Sequence, residues 1–373
     1  MKSISIWLDQ ILLIQFLRMH GNDSLDQIDL VNYPWQLLIS QARRANLLSR
    51  IAVFLQDASL LVQLPEKPRQ HFINAIYLAD ANARSARWEV IQIHKVLRSA
   101  QINFVLLKGA AYIFSENDAA KGRLFTDTDI MVAKIDLDLA ETTLLQNGWF
   151  GDCFDIYKQR YYREWMHEIP PLQHLQRQTT LDVHHTIIPP TTRLNPKSKK
   201  LWEQASVLQN MHSLYTLSPL DMILHSATHL FHEGEFNQGL RDISDLDLLL
   251  RQFILSMEDG WSQLLTRAIE LNLERPLFYG LNYTQQLLHT PIPSIVLTEA
   301  AQLGKLNRIQ IRFMDALFLR ALAPNHSTCQ ISGVNFACWL LYIRSHWLRM
   351  PLHLLLPHLL RKSWLRLLGK ETH

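Results

Sequence analysis

The sequence predicts an α+β fold that is mostly helical, with a small mixed sheet set between an N-terminal and a C-terminal helical region. Three observations point there. Glycine, the default residue of tight turns, numbers only 12 in 373 residues, too few for a turn-rich all-β chain. Apolar residues recur at three- and four-residue steps over 1–100 and again from 216 onward. Between them lie short runs rich in strand formers, separated by helical patterns.

In the first region, PWQLLISQARRANLLSRIAVFLQ and HFINAIYLADANARSARWEVIQIHKVLRSA each carry one apolar helical face. The opening MKSISIWLDQILLIQFLRMHG is interrupted by Asp9, Gln10 and Gln15, with no small-residue cleavage site behind it. It is expected to be an amphipathic helix and not a signal peptide. The middle region, 101–190, begins with INFVLL, an apolar run closed by Lys108-Gly109. FTDTDIMV and TTLDVHHTI are further strands, and IDLDLAETTLLQNGW is a helix stopping near Gly148. YKQRYYREWMHEI is assigned to one or two strands. The proline- and lysine-bearing loop IIPPTTRLNPKSKK marks a boundary near 190, and 191–373 is expected to form a helical domain. Within it, Ser218 caps a helix that starts at Pro219, with Asp221 in its first turn.

Composition narrows the function. A formal charge of +3 is too mild to argue for nucleic acid as a partner. Cys153, Cys329 and Cys338 form neither a disulfide framework nor a CxxC zinc motif, which suits a reducing cytoplasm. No stretch approaches the roughly 20 uninterrupted apolar residues of a spanning helix. The basic, tryptophan-bearing end, WLLYIRSHWLRMPLHLLLPHLLRKSWLRLLGK, suits peripheral contact with an anionic membrane, an oligomer interface or a closing helical layer.

Chemistry concentrates in one stretch. Asp127 and Asp129 stand two apart on a strand, so both carboxylates project from one face. Two such carboxylates repel unless a cation sits between them, and oxygen-only ligands suit Mg²⁺ or Mn²⁺. Asp182, on the TTLDVHH strand, is the candidate third carboxylate, as metal ligand, base or orienter. Strand alternation places His184 on its face and His185 on the other.

The ordered set LLKG, then Arg123 ahead of DTDIMV, then LDVHH, resembles the uncharacterised nucleotidyltransferase family within the polymerase-beta-like superfamily. Downstream, LSPLDMILHSATHLFHE and LRDISDLDLLL are similar to its helical region, so the likeness covers roughly residues 30–270. It implies transfer of a nucleoside monophosphate from a nucleoside triphosphate, with pyrophosphate released, to a small-molecule, peptide or protein acceptor. It further implies that Asp127, Asp129 and Asp182 hold Mg²⁺ or Mn²⁺. The superfamily has Gly-Ser in the first turn, where this chain has Lys108-Gly109. The lysine would bring a cation to the phosphates and the Gly109 amide a donor, with Arg123 assisting.

Each candidate has a plainer role beside it. Asp127 and Asp129 would otherwise be a solvated strand end, Asp182 an ion-pair partner, and Lys108 and Arg123 structural counter-ions. His225, His229 and His232 lie on one helix face beside Glu233. Lining of the active cleft or packing fits them better than zinc, because the HExxH order is absent. Arg241, in LRDISDLDLL, is expected over the site or in an interdomain ion pair. Two other classes of function stand beside the enzyme. One is a non-catalytic nucleotide-binding or regulatory module on the same fold. The other is a peripheral membrane accessory of a surface-polymer or peptide-modifying system.

Overall fold

Among the described residues five α-helices precede the first strand: α1 (Lys2–Leu8), α2 (Leu12–Gly21), α3 (Trp35–Arg44), α4 (Leu48–Asp57) and α5 (Glu66–Ser99). The computed structural model describes residues 2–151, 156–192, 194, 196–209, 211–232, 234–351 and 355. Cys153, Glu233 and, Leu355 apart, the basic tail beyond Pro351 lie outside the described residues. In α3 the buried residues Leu38, Ile39 and Ala42 fall at helical spacing, and in α4 Ile51, Phe54 and Leu55 do the same. The 34 residues of α5 make a rod about 51 Å long that packs against α3 and α4, then α6 and α7, defined below.

The sheet region then runs β1 (Phe104–Leu106), α6 (Lys108–Phe114), β2 (Asp127–Val132), α7 (Leu137–Gln146), β3 (Trp149–Gly151) and α8 (Ile156–Arg160). It continues with β4 (Leu172–His174), β5 (Thr180–His184), α9 (Ser198–Gln204), β6 (Ser206–Val207) and β7 (Leu214–Thr216). Strand order is β3-β4-β5-β2-β1-β7-β6. The pairing is mixed. β2 is parallel to β5 and β1 to β7, whereas β1–β2 and the outer pairs are antiparallel. β1 is buried throughout, as are Ile130, Met131 and Val132 of β2, because both strands sit at the centre of the sheet.

Two expectations need correction. Residues 156–165 form α8 and a π-helical turn (Tyr161–Trp165) instead of strands. Tyr157, Tyr161 and Trp165 fall at four-residue steps, and the last two and the outer two meet edge-on at 6.1 and 5.7 Å between ring centroids. That spacing stacks rings along one helical face, which outweighs the strand propensity of aromatics. The sheet also runs past 190, since β6 and β7 complete it from 206–216.

The described residues that follow are mainly helical: α10 (Pro219–His232), α11 (Gly239–Leu249), α12 (Gly260–Leu271), α13 (Glu274–Leu288), α14 (Ser294–Leu303), α15 (Arg308–Ala321) and α16 (Val334–Arg349). The Ser218 hydroxyl accepts from the Asp221 amide at 3.2 Å and caps α10. Buried Asp221 in turn pairs with Arg267 through both oxygens, at 2.7 and 2.9 Å. One continuous apolar core joins the N-terminal helices, the sheet and α10–α16. No described helix is long and apolar enough to cross a membrane. Because α10 packs on α6 and α11 on the turn before β2, the helical region lies directly over one end of the sheet.

Candidate active site

The parallel pairing of β2 with β5 sets Asp129 opposite Asp182 and Asp127 opposite Thr180. Partners in register share a sheet face, so all three aspartates project to one side, with His184 one step beyond. Asp127, at the strand's start, is exposed; Asp182 is half-buried, and Asp129 is only 4% exposed.

Asp129 holds the electrostatic centre. Its Oδ1 accepts from Lys108 Nζ at 2.9 Å and stands 3.1 Å from His184 Nε2. Burial opposes the charge on this carboxyl, yet Lys108 and His184 outweigh burial and hold it well below the usual carboxylate range. At Asp182 the help from His184 is outweighed. Burial first, then repulsion from Asp129 and Glu168, push its carboxyl up to about 7. Its Oδ1 is buried without a hydrogen-bond partner. His184 moves the other way from a buried imidazole: burial lowers it, but Asp129 and Glu168 raise it above its ordinary range.

Lys108 reaches Asp129 because of an unusual backbone. It sits at φ 45°, a left-handed conformation that favours glycine, as the first residue of α6. Gly109 is needed for packing. A Cβ there would meet the Phe125 ring at 2.6 Å and Arg123 Nε at 3.2 Å.

Arg123 and Arg241 belong to a neighbouring buried ion cluster. Arg123 pairs with Asp245 of α11 and lies over the Tyr112 and Phe125 rings. Asp245 also pairs with Arg50 of α4 at 2.7 Å, and Arg241 pairs with Asp242 at 2.7 Å. Burial first, then Arg241, lower Arg123 to about 10 and Arg50 to about 9, so these cations are partly spent on one another's counter-ions. The cluster ties α4, α11 and the turn before β2 beside Gly109.

From α10, His225 is buried, and its ring is pushed well below its ordinary range by burial, then by Lys108 and His229. The charges of Asp129 and His184 also act on it, so it lies within electrostatic range of them. His229 stacks edge-on against it, with centroids 6.4 Å apart. Thus Lys108, Asp129, Asp182, His184 and His225 come together, Asp127 opens to solvent at the rim, and Arg123 and Arg241 stand in the adjoining cluster.

His167 and Glu168 carry no signal in the sequence beyond an isolated His-Glu pair ahead of two prolines. They flank the site because the chain at 167–169 runs antiparallel to β5. Ile169 N–H donates to the Val183 carbonyl at 3.0 Å and His185 N–H to that of His167 at 2.8 Å. Glu168 Oε2 then lies 3.2 Å from His184 Nδ1, and the His167 ring stacks on His184 with centroids 5.0 Å apart.

No curated protein and no solved structure matches the chain. A protein family described as uncharacterised nucleotidyltransferase matches residues 32–289, a span holding every described strand, both carboxylate-bearing strands among them, and α10. With more than half of its length inside that match, the chain belongs to the uncharacterised nucleotidyltransferase family and is a transferase of nucleotidyl groups.

Proposed function

We propose that the protein moves a nucleoside monophosphate from a nucleoside triphosphate to an acceptor hydroxyl, phosphate or amine, using Mg²⁺ or Mn²⁺. The observation that carries this is the register of β2 and β5, which puts Asp127, Asp129 and Asp182 on one sheet face. The donor set fits a hard cation. All three ligands are carboxylates, and the buried, unpartnered Oδ1 of Asp182 beside the charged Asp129 is a position where a dication removes repulsion. The aspartates are not drawn as close together as the His167–Glu168–His184 group, whose ligand atoms lie within 4.8 Å of one another. When bound, the ion neutralises charge on the phosphates and polarises the α-phosphorus.

The chain's own groups do the rest. Asp127 and Asp129 hold the ion; Lys108 gives up Asp129 and turns its ammonium to the triphosphate. Asp182 takes the acceptor's proton as the acceptor atom bonds to the α-phosphorus and the bond to pyrophosphate breaks. His225, kept neutral, and His229 line the acceptor side from α10 and exclude water, which strengthens the fixed charges. Arg123 and Arg241 steady the triphosphate end through the Gly109 turn.

The test is incubation with each of four labelled triphosphates and Mg²⁺, with and without cell extract, followed by mass spectrometry for a transferred monophosphate. Metal-dependent nucleotide binding without any transfer would favour a non-catalytic module instead.

A second reading, contact with an anionic membrane surface on the cytoplasmic side, rests on α16. Phe336, Trp339, Ile343 and Trp347 form an exposed apolar stripe along it. From Arg308 to the end the chain carries nine Lys or Arg against two acidic residues, although the whole chain is only +3. Aromatics beside excess cations suit a lipid interface. Co-sedimentation with vesicles rich in anionic lipid, lost when Trp339 and Trp347 become serine, would support this. Equal binding to neutral vesicles, or none, would remove it.

A further inference from the structure

We propose that Arg123 and Arg241 form a subsite for the terminal phosphate of the nucleoside triphosphate, and that the Asp242 carboxylate holds that phosphate's place. This rests on the nucleotidyl transfer proposed above and goes further. The arginines touch the phosphate themselves, and Asp242 sets the preference for triphosphate over diphosphate.

The buried ion cluster carries one cation too many. Among the described residues it holds three guanidiniums, those of Arg50, Arg123 and Arg241, against the two carboxylates of Asp242 and Asp245. The adjoining Arg251–Asp247 pair is balanced. Arg50 is spent: it pairs with Asp245 at 2.7 Å and donates to the Ala119 carbonyl at 2.5 Å and the Ser244 hydroxyl at 3.2 Å. The surplus falls on Arg123 and Arg241, whose side chains are only 10% and 12% exposed. Cations so far out of water are costly without full counter-ions.

Asp242 meets this need poorly. Arg241 Nε and Nη2 both donate to one oxygen, Oδ1, at 3.0 and 2.7 Å, whereas the planar fork of a guanidinium matches two. The two residues are adjacent on α11, and helix neighbours do not face each other. Arg123 Nη1 stands 4.0 Å from the same oxygen, and Arg123 Nε is buried without a hydrogen-bond partner. That Nε lies 3.2 Å from where a Cβ on Gly109 would stand, beside the turn given to the triphosphate. Asp242 is also the most exposed member, its side chain 21% exposed against 3% for Asp245, so the cluster opens to water there. A phosphate entering at that edge offers separate oxygens to both guanidiniums and displaces Asp242, while the Arg50–Asp245 pair stays covered. With the α-phosphorus held at the aspartates, a diphosphate stops one phosphate short and leaves Asp242 in place.

Calorimetry on the full-length protein tests this. With Mg²⁺, each nucleoside triphosphate is compared with its diphosphate; in chelator, inorganic tripolyphosphate reads the arginines without base or metal. Arg241→Gln should weaken triphosphate by about 10–100-fold, the worth of a hydrogen bond to a charged group, and diphosphate by less than about threefold. It should weaken tripolyphosphate as well. Asp242→Asn should bind triphosphate and tripolyphosphate at least about threefold more tightly, a gain that no folding defect produces. If no nucleotide binds the parent with Mg²⁺, the transfer reading fails and the tripolyphosphate arm alone decides the subsite. Tripolyphosphate bound as tightly by Arg241→Gln as by the parent, or a parent-like preference for triphosphate over diphosphate in that variant, overturns the subsite. Affinity unchanged or lower in Asp242→Asn overturns the part given to Asp242. Either result leaves the cluster a structural tie between α4, α11 and the turn before β2.

Discussion

Lys108 combines a strained backbone with the charge nearest Asp129, and two substitutions separate these properties. Glycine tolerates the left-handed turn and alanine does not, so Lys108→Gly should be more stable than Lys108→Ala by about 1 kcal/mol in urea unfolding. Both should lose nucleoside triphosphate affinity to a similar degree and more than they lose Mg²⁺ affinity, by calorimetry. Nucleotide affinity retained in Lys108→Gly would show that the turn matters and the ammonium does not. Asp129→Asn removes a direct ligand and should slow transfer by on the order of a thousandfold. Parent-like metal–nucleotide binding by that variant would sink the ligand assignment. Asp182 predicts a pH effect of definite sign. Its carboxyl is raised in the folded state to about 7, so its contribution to stability is complete below the ordinary carboxylate range and fades as pH rises toward 7. Asp129, held low, works in the opposite sense and loses its contribution only in acid. In chelator, the melting temperature should therefore fall between about pH 4 and 7, and Asp182→Asn should flatten that slope. Excess Mg²⁺ should flatten it in the parent. An Asp182→Asn profile identical to the parent's would remove Asp182 as the cause.

Among the elements, α11 is anchored by charge as much as by its apolar face. Asp245 lies 2% exposed between Arg50 of α4 and Arg123 ahead of β2. Asp245→Ala leaves two buried guanidiniums without their shared carboxylate. It should cost about 3–5 kcal/mol, read as a lowered urea midpoint with an unchanged slope. A loss under about 1 kcal/mol, the level of an exposed pair, would mean water or Asp242 replaces it. The sequence places Arg123 and LRDISDLDLL near function but not against each other, because a contact between residues more than a hundred positions apart leaves no local pattern. The Lys108–Asp129 pair, 21 positions apart, was open in the sequence as the plainer role of Lys108, a counter-ion to the carboxylates, and the Asp127–Asp129 spacing reads directly from strand alternation. Elements with several turns or a long apolar run, such as α5, α10 and β1, announce themselves. β3, β4, β6 and β7, of two or three residues, are too short for any period to register, and α8 was masked by aromatics that suit either structure.

At the scale of the molecule, the mostly helical α+β architecture was legible and the extent of the sheet was not. The proline-rich loop near 190 looks like the end of the core, yet the strand beside β1 comes from 214–216. β1 is fully buried and pairs on one side with β2 and on the other with β7. A fragment ending at 190 should therefore expose an apolar strand edge and aggregate, whereas one ending past α13 should stay in solution; light scattering of the two distinguishes them. The same connection matters while the protein is being made. Phe104 waits for Leu214, 110 residues later in the chain. At about 5–20 residues per second, a ribosome takes roughly 5–20 s to supply them. For that interval the strands bearing all three aspartates can form while the edge next to them is open, so a nascent chain paused within α9 would be the species most in need of a chaperone.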